Sequence, residues 1–346
     1  MIPVKGFAAT KAKIPLAPFK FERREVGPHD IQIKILYCGV CHSDIHQVRD
    51  EWGGSILPMV PGHEIVGKIT KVGAHVTKFK VGETAGVGCF VDSCRHCPSC
   101  LAGLEQYCDV GMTGTYNGLD KEGQPTYGGY SNQITVDENY TLHVSDKLPL
   151  PGVAPLLCAG ITTWSPLREW KVGKGHKLGV VGLGGLGHMA VKLGASLGAE
   201  VTVLSTSPSK KADAEKLGAH HFVVTSDPEQ VKEIAGTLDF IINTASAPHE
   251  YDFYLQVLNL DGTMILVGVP PEAPKVAAFN LIMKRRRLAG SLIGGIKETQ
   301  EMLDFCGKHN ITSDIELIPI NKINEAYERV LKAQVKYRFV IDMASL

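Results

Sequence analysis

Cys94, Cys97, Cys100 and Cys108 fall within fifteen residues in a C-x2-C-x2-C-x7-C spacing. Tetrahedral zinc takes four thiolate or imidazole ligands at about 2.0–2.3 Å, and spacings this short let one loop wrap the ion. Four thiolates leave no position open for a substrate, so a metal held there is structural. A disulfide cluster is the competing reading. It is disfavoured because residues 1–10 lack the basic, apolar and small-residue pattern of a secretion signal.

A second pattern suits phosphate. Gly182, Leu183, Gly184, Gly185, Leu186 and Gly187 read G-x-G-x-x-G. The run follows a strand-like segment at 177–182 and opens a helix-like one at 185–197, the context in which the motif binds a dinucleotide. The first glycine permits the turn, the second lets the backbone approach a pyrophosphate, and the third allows close helix–strand packing. The helix N-terminus adds partial positive charge. Where the next strand ends, a carboxylate would bind the ribose 2′-hydroxyl of NAD. Ser205, Thr206, Ser207, Ser209, Lys210 and Lys211 stand there instead. Hydroxyls and a cation suit a 2′-phosphate, so NADP(H) is the expected coenzyme, with Ser205, Thr206, Ser207 and Lys210 around that phosphate.

Cys41, His63 and Cys158 are candidates for an open metal site, since two thiolates, one imidazole and one exchangeable position make a catalytic zinc. Their separation in sequence is too large for spacing to pair them. Taken singly, Cys158 also reads as a buried core thiol and His63 as a structural histidine. Cys38, Cys89 and Cys306 have no assigned role and read as buried thiols.

These groups need a scaffold. The 346 residues suffice for two domains, and 44% hydrophobic with 21% charged residues describes a globular protein. Lys and Arg (36) balance Asp and Glu (36), which lacks the electrostatic footprint of a nucleic-acid binder. Lys284, Arg285, Arg286 and Arg287 abut a strand-like run and read as a solvated or interface face. No eighteen-residue apolar run exists, so no membrane span is expected. Nine cysteines without a secretion signal point to a reducing, cytoplasmic setting. Residues 1–150 hold short strand-like runs at 31–35, 65–72 and 131–136, punctuated by glycine and proline. From about 150 the rhythm changes. Strand-like runs at 177–182, 200–204, 221–224, 240–243, 263–267 and 288–291 alternate with helix-like segments at 185–197 and 208–217. Both segments end on Leu-Gly-Ala. That alternation implies a parallel sheet covered on both faces. In the tail, Asn321 is expected to cap a helix with an apolar face of Ile323, Ala326, Tyr327, Val330 and Leu331, followed by a strand at 337–341.

Gly62-His63-Glu64-x2-Gly67-x5-Gly73-x2-Val76, the 39–46 segment around Cys41, the four-cysteine lobe, the 158–163 segment and the glycine loop occur in the order seen in the zinc-containing medium-chain alcohol dehydrogenases. The whole chain resembles that family, and most closely its cinnamyl alcohol dehydrogenase-like branch, which includes bacterial NADPH-dependent aldehyde reductases. Ser205 to Ser207 and Gly290 to Gly295 carry that flavour.

The resemblance implies an α/β chain with two domains. A GroES-like β-rich catalytic domain would span 1–150 and 292–346, and a Rossmann doubly wound parallel-sheet coenzyme domain 151–291, with the active site in the cleft between them. It implies two Zn2+ per chain. Cys41, His63 and Cys158 look like ligands of the catalytic ion, Glu64 like a carboxylate able to replace water on it, and Asp44 like the group that holds His63. Ser43 and His46 are similar to the family's proton relay. His42, Thr162, Gly268, Ser291, Leu292 and Ile293 match coenzyme-contacting positions, His42 standing where some relatives carry arginine. Trp52 and Phe90 fall at substrate-pocket positions.

The implied activity is interconversion of aromatic or medium-chain primary alcohols and aldehydes, mainly aldehyde reduction, by a homodimer acting on small molecules. An NAD-linked polyol or small-alcohol dehydrogenase on the same fold is the rival. A non-catalytic zinc-ribbon module is a remote one.

Overall fold

Ile31, Ile33 and Ile35 are buried while Lys34 between them is exposed, the period-two pattern of a strand with one face on a core. They lie on the Asp30–Gly39 strand, the hub of a seven-stranded sheet. That strand pairs antiparallel with Ile65–Val72, Gln133–Asp137 and, near Cys38 and Gly39, with Arg338–Asp342. The last of these brings the end of the chain into the first sheet. Thr84–Val87 and Leu142–His143 extend the sheet on one side and Ile315–Pro319 on the other.

The computed structural model describes residues 1–346. It divides into two compact units, residues 1–161 with 294–346, and residues 162–293. The second unit is a six-stranded parallel sheet. Its strands run His221–Val224, Glu200–Ser205, Lys177–Val181, Leu238–Asn243, Leu258–Leu266 and Arg287–Gly290, in that spatial order. In chain order this is 3-2-1-4-5-6, the doubly wound dinucleotide topology. Leu178, Val180, Val201, Val203, Ile241, Ile242, Met264 and Ile265 are fully buried. Continuous apolar runs of this kind fit strands covered on both faces.

The helix after the first strand, Gly187–Ser196, is followed at Gly198 by a residue with φ of 87°, and the Lys211–Leu217 helix is capped by Gly218 at 105°. Both glycines supply the left-handed conformation that ends a helix. Three details depart from expectation. The Leu258–Leu266 strand begins earlier than 263 through a register shift after Leu238, at a stretch containing Asp261 with φ of 64°. The tail helix is Ile323–Leu331, entered from a 3-10 turn at Ile320–Lys322, so Asn321 is not its cap. Leu331 is exposed, whereas Ile323, Ala326, Tyr327 and Val330 are buried.

Candidate active site

The first unit converges two loops and a helix start on one point. Cys41 is the extended residue that begins the His42–Val48 helix. Asp44, three residues on, turns its carboxylate back to accept the Cys41 amide at 2.9 Å. The same carboxylate accepts the Gly62 amide at 3.1 Å and pairs with His63 Nδ1 at 3.2 Å. Gly62 has φ of 103°, and a Cβ there would collide with the Tyr130 ring and the Cys38 sulfur. Glycine is therefore required to deliver His63 to this place. Cys158 arrives from the other side, immediately before the Ala159–Glu169 helix.

One ligand atom each from Cys41, His63, Glu64 and Cys158 lies within 4.8 Å of all the others, and all four residues are buried. Cys41 and Cys158 sulfurs are 3.8 Å apart. Two thiolates on a tetrahedral zinc at about 2.3 Å stand about 3.8 Å apart, so the pair has the metal's own spacing. Glu64 pairs through one carboxylate oxygen with Arg338, while its buried Oε2 has no partner. That orphaned oxygen fits a group that reaches a metal in some states and retreats to an arginine in others. Cys158 donating to Cys41 holds the Cys41 thiol well below its ordinary value. Against the desolvation of burial, Asp44 pushes His63 well up.

The four-cysteine lobe passes the same test. Cys94 and Cys100 sulfurs are 3.8 Å apart, and Cys97 and Cys108 sulfurs 4.0 Å. Amides of Cys97, Cys94 and Cys100 point at the sulfurs of Cys94, Cys108 and Cys97, at 3.3, 3.4 and 3.4 Å. The amides of Asp109 and Cys100 pull the Cys97 thiol down to about 6, into thiolate.

Around the first cluster, the Cys41 thiol reaches Ser43 Oγ at 3.6 Å. His46 Nδ1 pairs with Glu51 at 2.5 Å, and its ring stacks on Trp52 with centroids 4.9 Å apart. Trp52 is half exposed. Phe90 is buried edge-to-face on Tyr140 at 5.9 Å, and Tyr140 is hydrogen-bonded to Ser93, whose hydroxyl also reaches Cys100 of the lobe. Phe90 thus packs toward the lobe's support, while its neighbour Cys89 contacts the Leu157 carbonyl beside Cys158. His42 is exposed.

In the second unit the glycine loop leaves the first strand where the sheet order reverses. Gly182 has φ of 86°. A Cβ on Gly187 would strike the Gly182 carbonyl, whereas one on Gly184 would meet nothing within 4 Å. The space beside Gly184 is therefore open. Lys210 Nζ donates to the Leu183 carbonyl at 3.3 Å, and Ser205 Oγ accepts the Ser207 amide at 3.2 Å. The loop after the second strand is thereby tied to the glycine loop, with Thr206 exposed. Gly268 and Ser291 follow the fifth and sixth strands. A Cβ on Gly268 would collide with the Ala245 carbonyl, and the Ser291 amide bonds to Leu266 at 3.1 Å. Leu292 is exposed, Ile293 and Thr162 buried. Apart from Thr162, on the Ala159–Glu169 helix, these groups gather at the carboxyl ends of the strands, where such sheets bind ligands.

Residues 27–146 match the model of the alcohol dehydrogenase GroES-like domain, and residues 185–308 that of the zinc-binding dehydrogenases. Over the whole chain it is 57% identical to the NADP-dependent alcohol dehydrogenase C 1 of Mycolicibacterium smegmatis, covering 99% of that protein. The chain belongs to the zinc-binding alcohol dehydrogenase family. It is also 54% identical to the aldehyde reductase YahK of Escherichia coli, over 99% of each chain. The structure of a Sorghum bicolor cinnamyl alcohol dehydrogenase superposes with a TM-score of 0.96 at 46% identity, over 99% of this chain and 98% of that one. A Helicobacter pylori counterpart complexed with NADP(H) gives 0.93 at 48%, over 99% of each.

Several residues of this dehydrogenase escaped the sequence reading. Arg338 is 274 positions from its partner Glu64. Glu51 stands five residues beyond His46, with no motif to single it out. Tyr116, whose ring stacks on His63 at 5.7 Å, and Tyr130, whose hydroxyl meets Asp44, look like ordinary core aromatics in the sequence.

Proposed function

We propose that this chain is an NADP(H)-dependent zinc enzyme interconverting primary alcohols and aldehydes. The observation that carries the reading is the convergence of one donor atom each from Cys41, His63 and Cys158 within 4.8 Å of one another, with the two sulfurs 3.8 Å apart. It occurs in a chain more than half identical to an NADP-dependent alcohol dehydrogenase. When bound, zinc supplies a Lewis acid to a substrate oxygen and the reduced nicotinamide supplies hydride. Cys41, His63 and Cys158 hold that ion, Glu64 is the exchangeable carboxylate, and the four-cysteine lobe holds the second, structural zinc.

Ser43, beside the Cys41 sulfur, exchanges the substrate-oxygen proton at its Oγ. His46 passes the proton onward. Glu51 occupies its Nδ1 and steadies the ring, which leaves Nε2 for transfer. Trp52 offers an apolar wall to an aromatic or medium-length substrate, at about 0.8 kcal/mol per buried methylene. Ser205, Thr206, Ser207 and Lys210 take the 2′-phosphate and Gly184 the pyrophosphate, with His42, Thr162, Gly268 and Ser291 to Ile293 as further coenzyme contacts.

The test is kcat/KM with NADPH and NADH on protein of known zinc content. A preference for NADPH of tenfold or more is expected, equivalent to about 1.4 kcal/mol. Equal values or a preference for NADH would overturn the coenzyme assignment.

The working form is a homodimer. Arg287–Gly290 is an open edge of the parallel sheet, and Phe279, Ile282 and Met283 nearby in sequence are 73%, 68% and 71% exposed. Unpaired edges and apolar patches of this kind mark self-association. No disulfide joins any of the nine cysteines, which supports a reducing, cytoplasmic setting. No helix is long and apolar enough to cross a membrane.

A further inference from the structure

Asp44 is fully buried, and a buried carboxylate is tolerated only when its oxygens are occupied. Four donors occupy them. Oδ1 takes the Gly62 amide and His63 Nδ1, and Oδ2 takes the Cys41 amide and the Tyr130 hydroxyl, at 3.1 Å. Arg338, a buried cation near these ligands, is engaged by Glu64. The two amides belong to the loops that carry the metal ligands themselves. Of these four, Tyr130 alone comes from elsewhere in the fold.

Its placement is heavily determined. Tyr130 is fully buried, and its amide bonds to the Pro61 carbonyl at 2.9 Å. The amides of Gly128 and Gly129 bond to Val60 and Gly62 at 2.7 and 2.8 Å. The ring crosses Gly62 where no Cβ would fit. Tyr116 and Tyr327, also buried, close around the same carboxylate, and its charge adds to burial in pushing their hydroxyls well up.

We infer that Tyr130 is a positioning residue for the catalytic metal: by donating to Asp44 Oδ2 it locks the carboxylate that orients His63. The inference rests on the reading of Cys41, His63 and Cys158 as the metal's ligands. Without the hydroxyl, Asp44 keeps a single donor on Oδ2 and can swing. The His63 contact on Oδ1 then loosens, and the imidazole loses its fixed tautomer and direction. Outer partners of this type change metal affinity by about 10- to 100-fold.

Tyr130→Phe keeps the ring and deletes the donor. Competition with a chelator should show one of two zinc ions held 10- to 100-fold more weakly, with the lobe's ion unchanged. The visible bands of the cobalt-substituted site should shift. In an Asp44→Ala background the same change should add nothing, because its route has been removed. A folded Tyr130→Phe protein with wild-type zinc affinity and bands overturns the inference, as does a loss that adds fully to that of Asp44→Ala. Should Tyr130→Phe not fold, 3-fluorotyrosine placed at 130, a stronger donor of nearly the same shape, must tighten the same ion. Unchanged affinity then overturns the inference. Cys158→Ala serves as the control for the underlying reading. If it keeps both ions, the ligand assignment fails, whatever Tyr130 does.

Discussion

A proton moving between substrate oxygen and solvent needs groups that pick it up and let it go, and we propose Ser43 and His46 for this, with Glu51 holding the His46 ring. His46→Gln should slow alcohol oxidation most at low pH, where no hydroxide substitutes for the lost base. The pH profile of kcat/KM is the check, and an unchanged profile would contradict the relay. Legibility at this scale followed chain distance. The lobe cysteines were readable because their spacing is local. Cys41, His63 and Cys158 were joined only by resemblance, since the fold and not the spacing brings their atoms within 4.8 Å. Arg338 and Tyr130 were invisible, because a buried arginine or tyrosine carries no local pattern and its meaning lies in a partner across the sheet.

Elements make the site by ending in the right places. Gly184 and Gly187 belong to one motif but serve opposite needs. A side chain at 187 meets the Gly182 backbone, while one at 184 meets only open space, which we assign to phosphate. Gly187→Val should lower the melting temperature and abolish coenzyme binding together. Gly184→Val should abolish binding with the melting temperature of the apo protein unchanged. Melting curves with and without NADPH separate the two, and equal destabilisation by both changes would contradict the distinction.

A second element-level test concerns Glu138. Its carboxylate takes the amides of Thr77 and Lys78, both at 2.9 Å, and so anchors the loop after Ile65–Val72. Against the upward push of burial, these amides hold its carboxyl below the ordinary 4.5. A lowered folded-state value contributes stability above the unfolded value, and that stability is lost as pH falls through the folded one. Glu138→Gln should therefore cost about 1 kcal/mol at pH 7, and the gap to wild type should close below pH 4.5. A gap that persists in acid would point to packing instead.

The sheet strands were legible because buried parallel strands are continuous apolar runs. The Ala159–Glu169 helix was not, because Gly160, two threonines and an internal Pro166 break its pattern. The Asn321 cap failed because the tail helix is entered through a 3-10 turn after Pro319.

At the scale of the molecule, one chain combines a metal-gripping unit built on an antiparallel sheet with a parallel sheet whose strand ends receive a dinucleotide. Their order along the sequence was readable from the change of rhythm near residue 150. How many chains work together is a proposal, drawn from the resemblance and from an exposed edge and three apolar side chains. The account depends above all on an open metal centre at Cys41, His63 and Cys158. Zinc per chain, measured on Cys158→Ala beside wild type, tests it most directly. Two ions in wild type and one in the variant, with NADPH still bound and turnover lost, is the predicted result; two ions and undiminished turnover in the variant would contradict it.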